Sequence, residues 1–303
     1  MFLRPLLFLL LFFTTGCSGL FYHPDRNLYY PPHRMGFSAQ EYVFSASDGT
    51  QLDGWFFTAR KDDPAFGVEY PPRRAQGTII QFHGNSENMS SHYLSLVWLI
   101  DHGFNVFTFD YRGFGKSQGE PNQKGTYEDA LAALDLGWKL HQLSGAEPRF
   151  IVYSQSLGGV IAMRSITDFK HRDEVSLLVL DSTFVSYQQI AREKMASHWF
   201  TWPLQPLTYL LVSDGYGAEN SLHRNSLPLL VIHDKKDPVV PFDLGQKNFD
   251  EDGAAISHKG PRDFWILNAG RHVGVFVEPA YRDRFVRTAR AARAEAMPVR
   301  WGQ

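Results

Sequence analysis

Cysteine is almost absent from this chain. Cys17 stands alone among 303 residues, so no intramolecular disulfide can form and no zinc site can be built on thiolates. No His-Glu-x-x-His sequence occurs, and the 12 histidines do not fall at metal-ligand spacing, so a metal centre is not expected. An excess of one charge is lacking too. Thirty Lys and Arg face 32 Asp and Glu, a net charge of −2, which leaves no basic footprint for nucleic acid. Internal repeats and low-complexity tracts are missing. No Gly-x-Gly-x-x-Gly opens a helix after a strand, so a dinucleotide site is unsupported. Gly115-Lys116-Ser117 resembles the end of a phosphate-binding loop, but Asp110 stands where that loop needs its first glycine.

What is present suits a folded α/β protein with a large core. Apolar residues make up 44% of the chain and aromatic ones 15%, enough to fill a core and still line an apolar pocket. The start is different in kind. Arg4 precedes an almost wholly apolar run from Pro5 to Phe13, too short to span a bilayer, and Thr14-Thr15-Gly16 leads to Cys17. This is the layout of a secretory signal peptide over residues 1–16, and it resembles the lipobox of bacterial lipoproteins. Cys17 is then the expected lipidation site, and the protein is expected to be exported and anchored in a bacterial membrane by its acyl chains. In a Gram-negative host, Ser18 after the cysteine favours the periplasmic face of the outer membrane. Residues 17–38 read as an extended tether, and 39–303 as the folded domain.

Along that domain, Glu41–Ser45 and Gln51–Thr58 flank Asp48-Gly49, a hairpin signal. Arg60 to Gln76, rich in proline and charge, reads as loop. Strands are then expected at Thr78–Phe82, Phe104–Phe109, Arg149–Tyr153, Val175–Leu180, Leu227–His233 and Phe264–Leu267. Helical runs are expected at Ser90–Asp101, Thr126–Leu143, after Ser156, at Phe242–Phe249 and at Glu278–Glu295. Alternation of this kind implies βαβ units and a mostly parallel sheet covered on both faces, with an antiparallel hairpin at one edge. It breaks once, at about 183–226, where Trp199, Phe200 and Trp202 suggest a small helical cap over the carboxyl edge of the sheet. The arginines of the last helix, Arg282 to Arg293, read as a solvated face.

The chemistry centres on Tyr153-Ser154-Gln155-Ser156-Leu157-Gly158-Gly159. An apolar strand turns abruptly into a helix, with a serine at the turn and small residues two places either side. This is a nucleophile elbow with Ser154 in place of its usual first glycine. A serine hydroxyl needs a base, and the base needs an orienting acid. The acid should follow a strand downstream of the elbow, where Asp181, Asp234 and Asp237 all stand. The base should follow the last strand, and of the histidines His272 has both the order and the location. Backbone N–H groups must face the developing oxyanion. Leu157, at the start of the elbow helix, and Asn85, in the loop after an early central strand, are the candidates.

Together, His83-Gly84-Asn85, Asp110 to Ser117, Ser154 to Gly159, Asp181-Ser182-Thr183-Phe184, His233 to Pro241 and His272 resemble the α/β-hydrolase superfamily. Within it the chain is similar to the Bem46-like, serine-aminopeptidase-like hydrolases over roughly residues 41–293. The resemblance implies a triad of Ser156, Asp237 and His272, oxyanion donors at Asn85 and Leu157, and no cofactor. It implies hydrolysis of carboxylic esters, thioesters or lipids through an acyl-enzyme. Two departures stand out: Ser154, and Val273-Gly274 after the histidine, where relatives often carry Asn-Asp. A small acyl or lipid substrate is therefore expected. A peptidase, or a non-catalytic binding protein on the same fold, is the alternative.

Overall fold

The structure is a computed structural model that describes residues 18–60, 74–197, 199–222, 227–247, 249 and 262–292. The signal peptide and Cys17 lie outside the described residues, as does most of the 60–76 loop.

Eight strands form one sheet: β1 (Gln40–Ser45), β2 (Gln51–Phe57), β3 (Gly77–Phe82), β4 (Phe104–Phe109), β5 (Phe150–Gln155), β6 (Val175–Asp181), β7 (Leu229–Asp234) and β8 (Arg262–Leu267). Their spatial order is β1-β2-β4-β3-β5-β6-β7-β8. β1 and β2 pair antiparallel, as do β2 and β4, and all other neighbours are parallel. The strands from β3 to β7 are buried along their whole length, as expected for near-continuous apolar runs covered on both faces. Edge strand β1 alternates exposed and half-buried residues. The turn between β1 and β2 closes where Asp48-Gly49 predicts it. Gly49 takes a left-handed φ of 87°, and the Asp48 carboxylate accepts the Thr50 N–H at 3.0 Å.

Four longer helices accompany the sheet: α1 (Gln123–Ser144), α2 (Leu157–Asp168), α3 (Tyr187–Ala196) and α4 (Pro279–Ala291). Two core clusters flank the sheet. One joins Ala130, Ala133 and Leu134 of α1 and Val160 of α2 to Phe82, Phe107 and Phe109. The other joins Phe285 of α4 to Tyr93, Ile79, Val106 and Trp265.

Three expectations change. The run from Ser90 to Asp101 is not one helix. A single α-turn, Met89–His92, gives way to 3-10 segments at Tyr93–Ser95 and Val97–His102. The cause is local competition for carbonyls. Gln81 and Ser95 side chains donate to the His92 carbonyl at 2.9 and 2.8 Å, and Leu96 N–H bonds Tyr93 O instead. The arginines of α4 are not simply solvated. Arg284 pairs with Asp263 at 3.0 Å and lies over the Trp265 ring, and Arg290 donates to Gln76 at 2.8 Å.

The third change is the stretch from 18 to 38. Only part of it runs free as a tether. Phe21 and Tyr22 are buried, and Tyr22 OH lies 3.2 Å from both Thr126 Oγ1 and Tyr187 OH. His23-Pro24 pairs in parallel with Ser86-Glu87, and His23 N–H donates to Asn85 O at 2.8 Å. Asn88 then holds the carbonyls of Asp25 and Asn27 at 3.0 and 2.7 Å. The segment is a stitched part of the domain.

Candidate active site

Every group of the site stands at or within a few residues beyond the carboxyl end of a strand. β5 runs straight into α2, and Ser156 is the residue at the bend. Its φ of 52° and ψ of −120° are strained for any side chain. The bend survives because its neighbours allow close approach. A Cβ on Gly158 would sit 2.4 Å from Phe82 O, and one on Gly159 would sit 2.3 Å from Thr183 Cγ2. Ser154, in place of the usual glycine, is satisfied inside the sheet, where its hydroxyl donates to Val179 O at 2.7 Å. Ser156 N–H donates to Asp181 O at 2.9 Å, which ties the elbow to the end of β6.

The three candidate acids part ways in space. Asp237 has no exposed side-chain surface, and its Oδ2 lies 2.8 Å from His272 Nδ1, with Oδ1 at 3.1 Å. Oδ1 also accepts the N–H groups of Val239 and Val240 at 2.8 and 3.0 Å. Burial pushes this carboxyl up, but the His272 hydrogen bond and charge and the two N–H groups outweigh it, and hold it below the usual carboxylate range. Asp234 serves the loop rather than the ring. It accepts N–H groups from Ala269 at 2.6 Å and Gly270 at 3.0 Å, and so shapes the turn that presents His272. Asp181 is buried beneath the elbow, where Tyr153 OH donates to it at 2.8 Å and Ser182 Oγ lies 3.2 Å away. Burial raises its carboxyl to about 6.

His272 is one-fifth exposed and follows β8. Its loop is linked back to the elbow through the next residue. Val273, at a φ of 51°, donates its N–H to Ser182 Oγ at 3.3 Å, and Ser182 follows the Asp181 whose carbonyl holds Ser156. The departure at Val273 therefore falls on a strained backbone position that ties down the His272 loop. Asn85 and Leu157 both line an open cleft together with Ser156. The other walls are Phe21, Phe184, Ile190, Ala191, Val239 and Val240, with Lys194 the one charged group among the described lining residues. Phe21 and the 22–27 stitch are the site-forming residues that the sequence did not reveal. An aromatic pair at 21–22 was the available signal, but its partners lie more than sixty residues away.

The other strand-end groups are structural. His83 lies 3.3 Å from Asp110 beneath the Asn85 loop, and the His233 Nε2–H donates to Val240 O at 2.9 Å. Lys116 pairs with Glu41 at 3.0 Å, and the Ser117 hydroxyl donates to Asp110 O at 2.8 Å, so both serve the fold. Among the described residues no group of three potential ligands could hold a metal ion.

Comparison with known proteins agrees with this architecture. The esterase Pf2001 of Pyrococcus furiosus superposes with a TM-score of 0.64 at 20% identity, over 89% of this chain and all of that one, and the match extends to fold alone. Residues 73–213 match the family described as serine aminopeptidase, S33. The uncharacterized protein YfhR of Escherichia coli (strain K12) is 32% identical over 93% of both chains. The chain belongs to the α/β-hydrolase family. Lysophosphatidylserine lipase ABHD12 of Mus musculus is 31% identical to this α/β hydrolase over 62% of the chain and 48% of its own length. Membership of this family supports a hydrolase.

Proposed function

We propose that this α/β hydrolase cleaves carboxylic ester-type bonds (acyl ester, thioester or lipid) through an acyl-enzyme on Ser156. The observation that carries the reading is the Asp237–His272 pair, at 2.8 Å, on a loop bonded to the strand end that holds the elbow. With its Nδ1–H donated to Asp237, His272 keeps the Nε2 lone pair for a proton. His272 takes the Ser156 proton as Oγ attacks the carbonyl. The N–H groups of Asn85 and Leu157 stabilise the oxyanion, the second assisted by the start of α2. The tetrahedral adduct collapses and the leaving alcohol departs with the proton from His272. Water, deprotonated by His272, then attacks the acyl-Ser156 ester and releases the acid.

An ester is favoured over a peptide by the cleft walls. A site that grips a substrate amine needs a carboxylate, and the charged group among the described lining residues is Lys194. The test is labelling by a fluorophosphonate probe together with a panel of acyl esters. Wild type should label and turn over. Ser156→Ala should do neither. A folded wild type that neither labels nor hydrolyses any ester would mean a binding protein on this fold.

The exported, lipid-anchored state belongs to the same proposal, since Cys17 follows a short apolar run and small residues. Incorporation of a palmitate analogue should vanish in Cys17→Ser, and equal labelling of the two would remove the anchor.

A further inference from the structure

The cap presents an apolar surface that the catalytic reading does not use. Of the seventeen large hydrophobic side chains exposed among the described residues, eight fall in 199–211. Trp199 is 88% exposed, Leu210 82%, Trp202 62%, Phe200 61% and Tyr209 58%. Scattered exposed hydrophobics need no explanation, but a concentration of this kind marks a surface that meets something apolar. The segment is built rather than frayed. Thr201 Oγ1 donates to Met195 O, Gln188 to Val212 O and Arg192 to Tyr209 OH, each at 2.8 Å, so it is fastened to α3.

We propose that residues 199–211 form a membrane-docking surface that seats in the lipid headgroup–acyl boundary beside the cleft. Three observations select a lipid surface as the occupant. The composition is that of an interfacial segment: Trp and Tyr, whose rings suit the headgroup level, stand among Leu and Phe. The charge does not oppose an anionic surface, because residues 199–211 contain no Asp or Glu and Lys194 stands nearby. The third is where the chain arrives. Phe21 packs edge-on against Tyr187, the first residue of α3, at 5.1 Å between ring centroids. Cys17, the proposed lipidation site, lies four residues upstream of Phe21, a reach of at most about 14 Å. Acyl chains on Cys17 would therefore bring the bilayer to the cap. Phe21 on one side and Ile190, Ala191 and Lys194 of α3 on the other line the cleft, so a docked cap turns the cleft toward the lipid.

The test places the full chain in vesicles of phosphatidylethanolamine and phosphatidylglycerol carrying brominated acyl chains, and reads tryptophan fluorescence. Wild type should be quenched, and Trp199→Phe combined with Trp202→Phe should lose at least about half of the quenching. The readout needs no turnover, so it stands or falls separately from the ester-hydrolase reading. Fluorophosphonate labelling, or a thermal melt if the protein does not label, checks that the variant is folded. A wild type whose fluorescence ignores the bromine would overturn the proposal, and it would point to a cap covered by a second copy of the chain. Quenching that survives intact in the double variant would overturn it equally.

Discussion

The sheet edge at the cleft and the 199–211 segment beside it are made in opposite ways. The sheet edge is buried and bonded: Ser156, Asp237 and Asp181 each hold fixed partners, and three residues, Ser156, Ser182 and Val273, keep strained positive φ values because those partners over-determine them. The 199–211 segment rests on few bonds to α3 and leaves its largest side chains in solvent. Catalytic geometry demands placement within a fraction of an ångström, which only a dense bonded framework supplies. A surface that meets a disordered apolar phase needs no such placement. The contrast teaches that rigidity is concentrated at the groups proposed to move a proton.

The largest break in this comparison should come from the bonded sheet edge. Ser156→Ala, or His272→Ala, should lower ester kcat/KM by about 10⁴–10⁶, measured in a kinetic assay with the folded state checked by circular dichroism. Next comes the framework behind it. Arg112 clamps Asp129, whose side chain is fully buried, with its Nη2 at 2.8 Å. Arg112→Met leaves that carboxylate unpaired and should cost about 3–5 kcal/mol in urea unfolding.

Asp181 gives a signed pH effect. Its carboxyl rises from 3.8 to about 6 on folding, chiefly by burial. The folded state therefore binds the proton more tightly, and stability present below the unfolded value is lost as pH rises through about 6. Asp181→Asn escapes this loss. Relative to wild type it should gain up to roughly 3 kcal/mol between about pH 4 and about pH 7.5, read as the difference between denaturant curves at the two pH values. A flat difference would show that Tyr153 and Ser182 hold the carboxylate charged at no cost. The smallest effect belongs to the cap. Leu210→Ser touches a side chain already in water and should shift folding stability by less than about 0.5 kcal/mol. A loss several times larger would mean that the cap is bonded as tightly as the sheet edge.

Much of this was legible in the chain. The buried strands announced themselves as apolar runs because a sheet covered on both faces leaves no polar side. The elbow was legible because a strained bend tolerates only small neighbours, and Ser154, Gly158 and Gly159 are small. The choice among Asp181, Asp234 and Asp237 was not written in spacing. All three follow strands, and the family resemblance, not the residue pattern, favoured Asp237. The helix expected at 90–101 was misjudged because periodicity does not register Gln81 and Ser95 competing for the His92 carbonyl.

By itself, then, the sequence determined which residues could be inside, where the chain bends, and which serine and histidine stand at strand ends. Those features depend on local pattern and chain order. The tertiary structure alone decided which carboxylate reaches His272, why Val273 is tolerated, and that Phe21 lines one side of the cleft. Each of these depends on partners brought from distant parts of the chain, such as Asn85, Asn88 and Tyr187 for the segment that begins at Phe21. Hydrogen bonds of that kind are satisfied in space, and no local pattern encodes them.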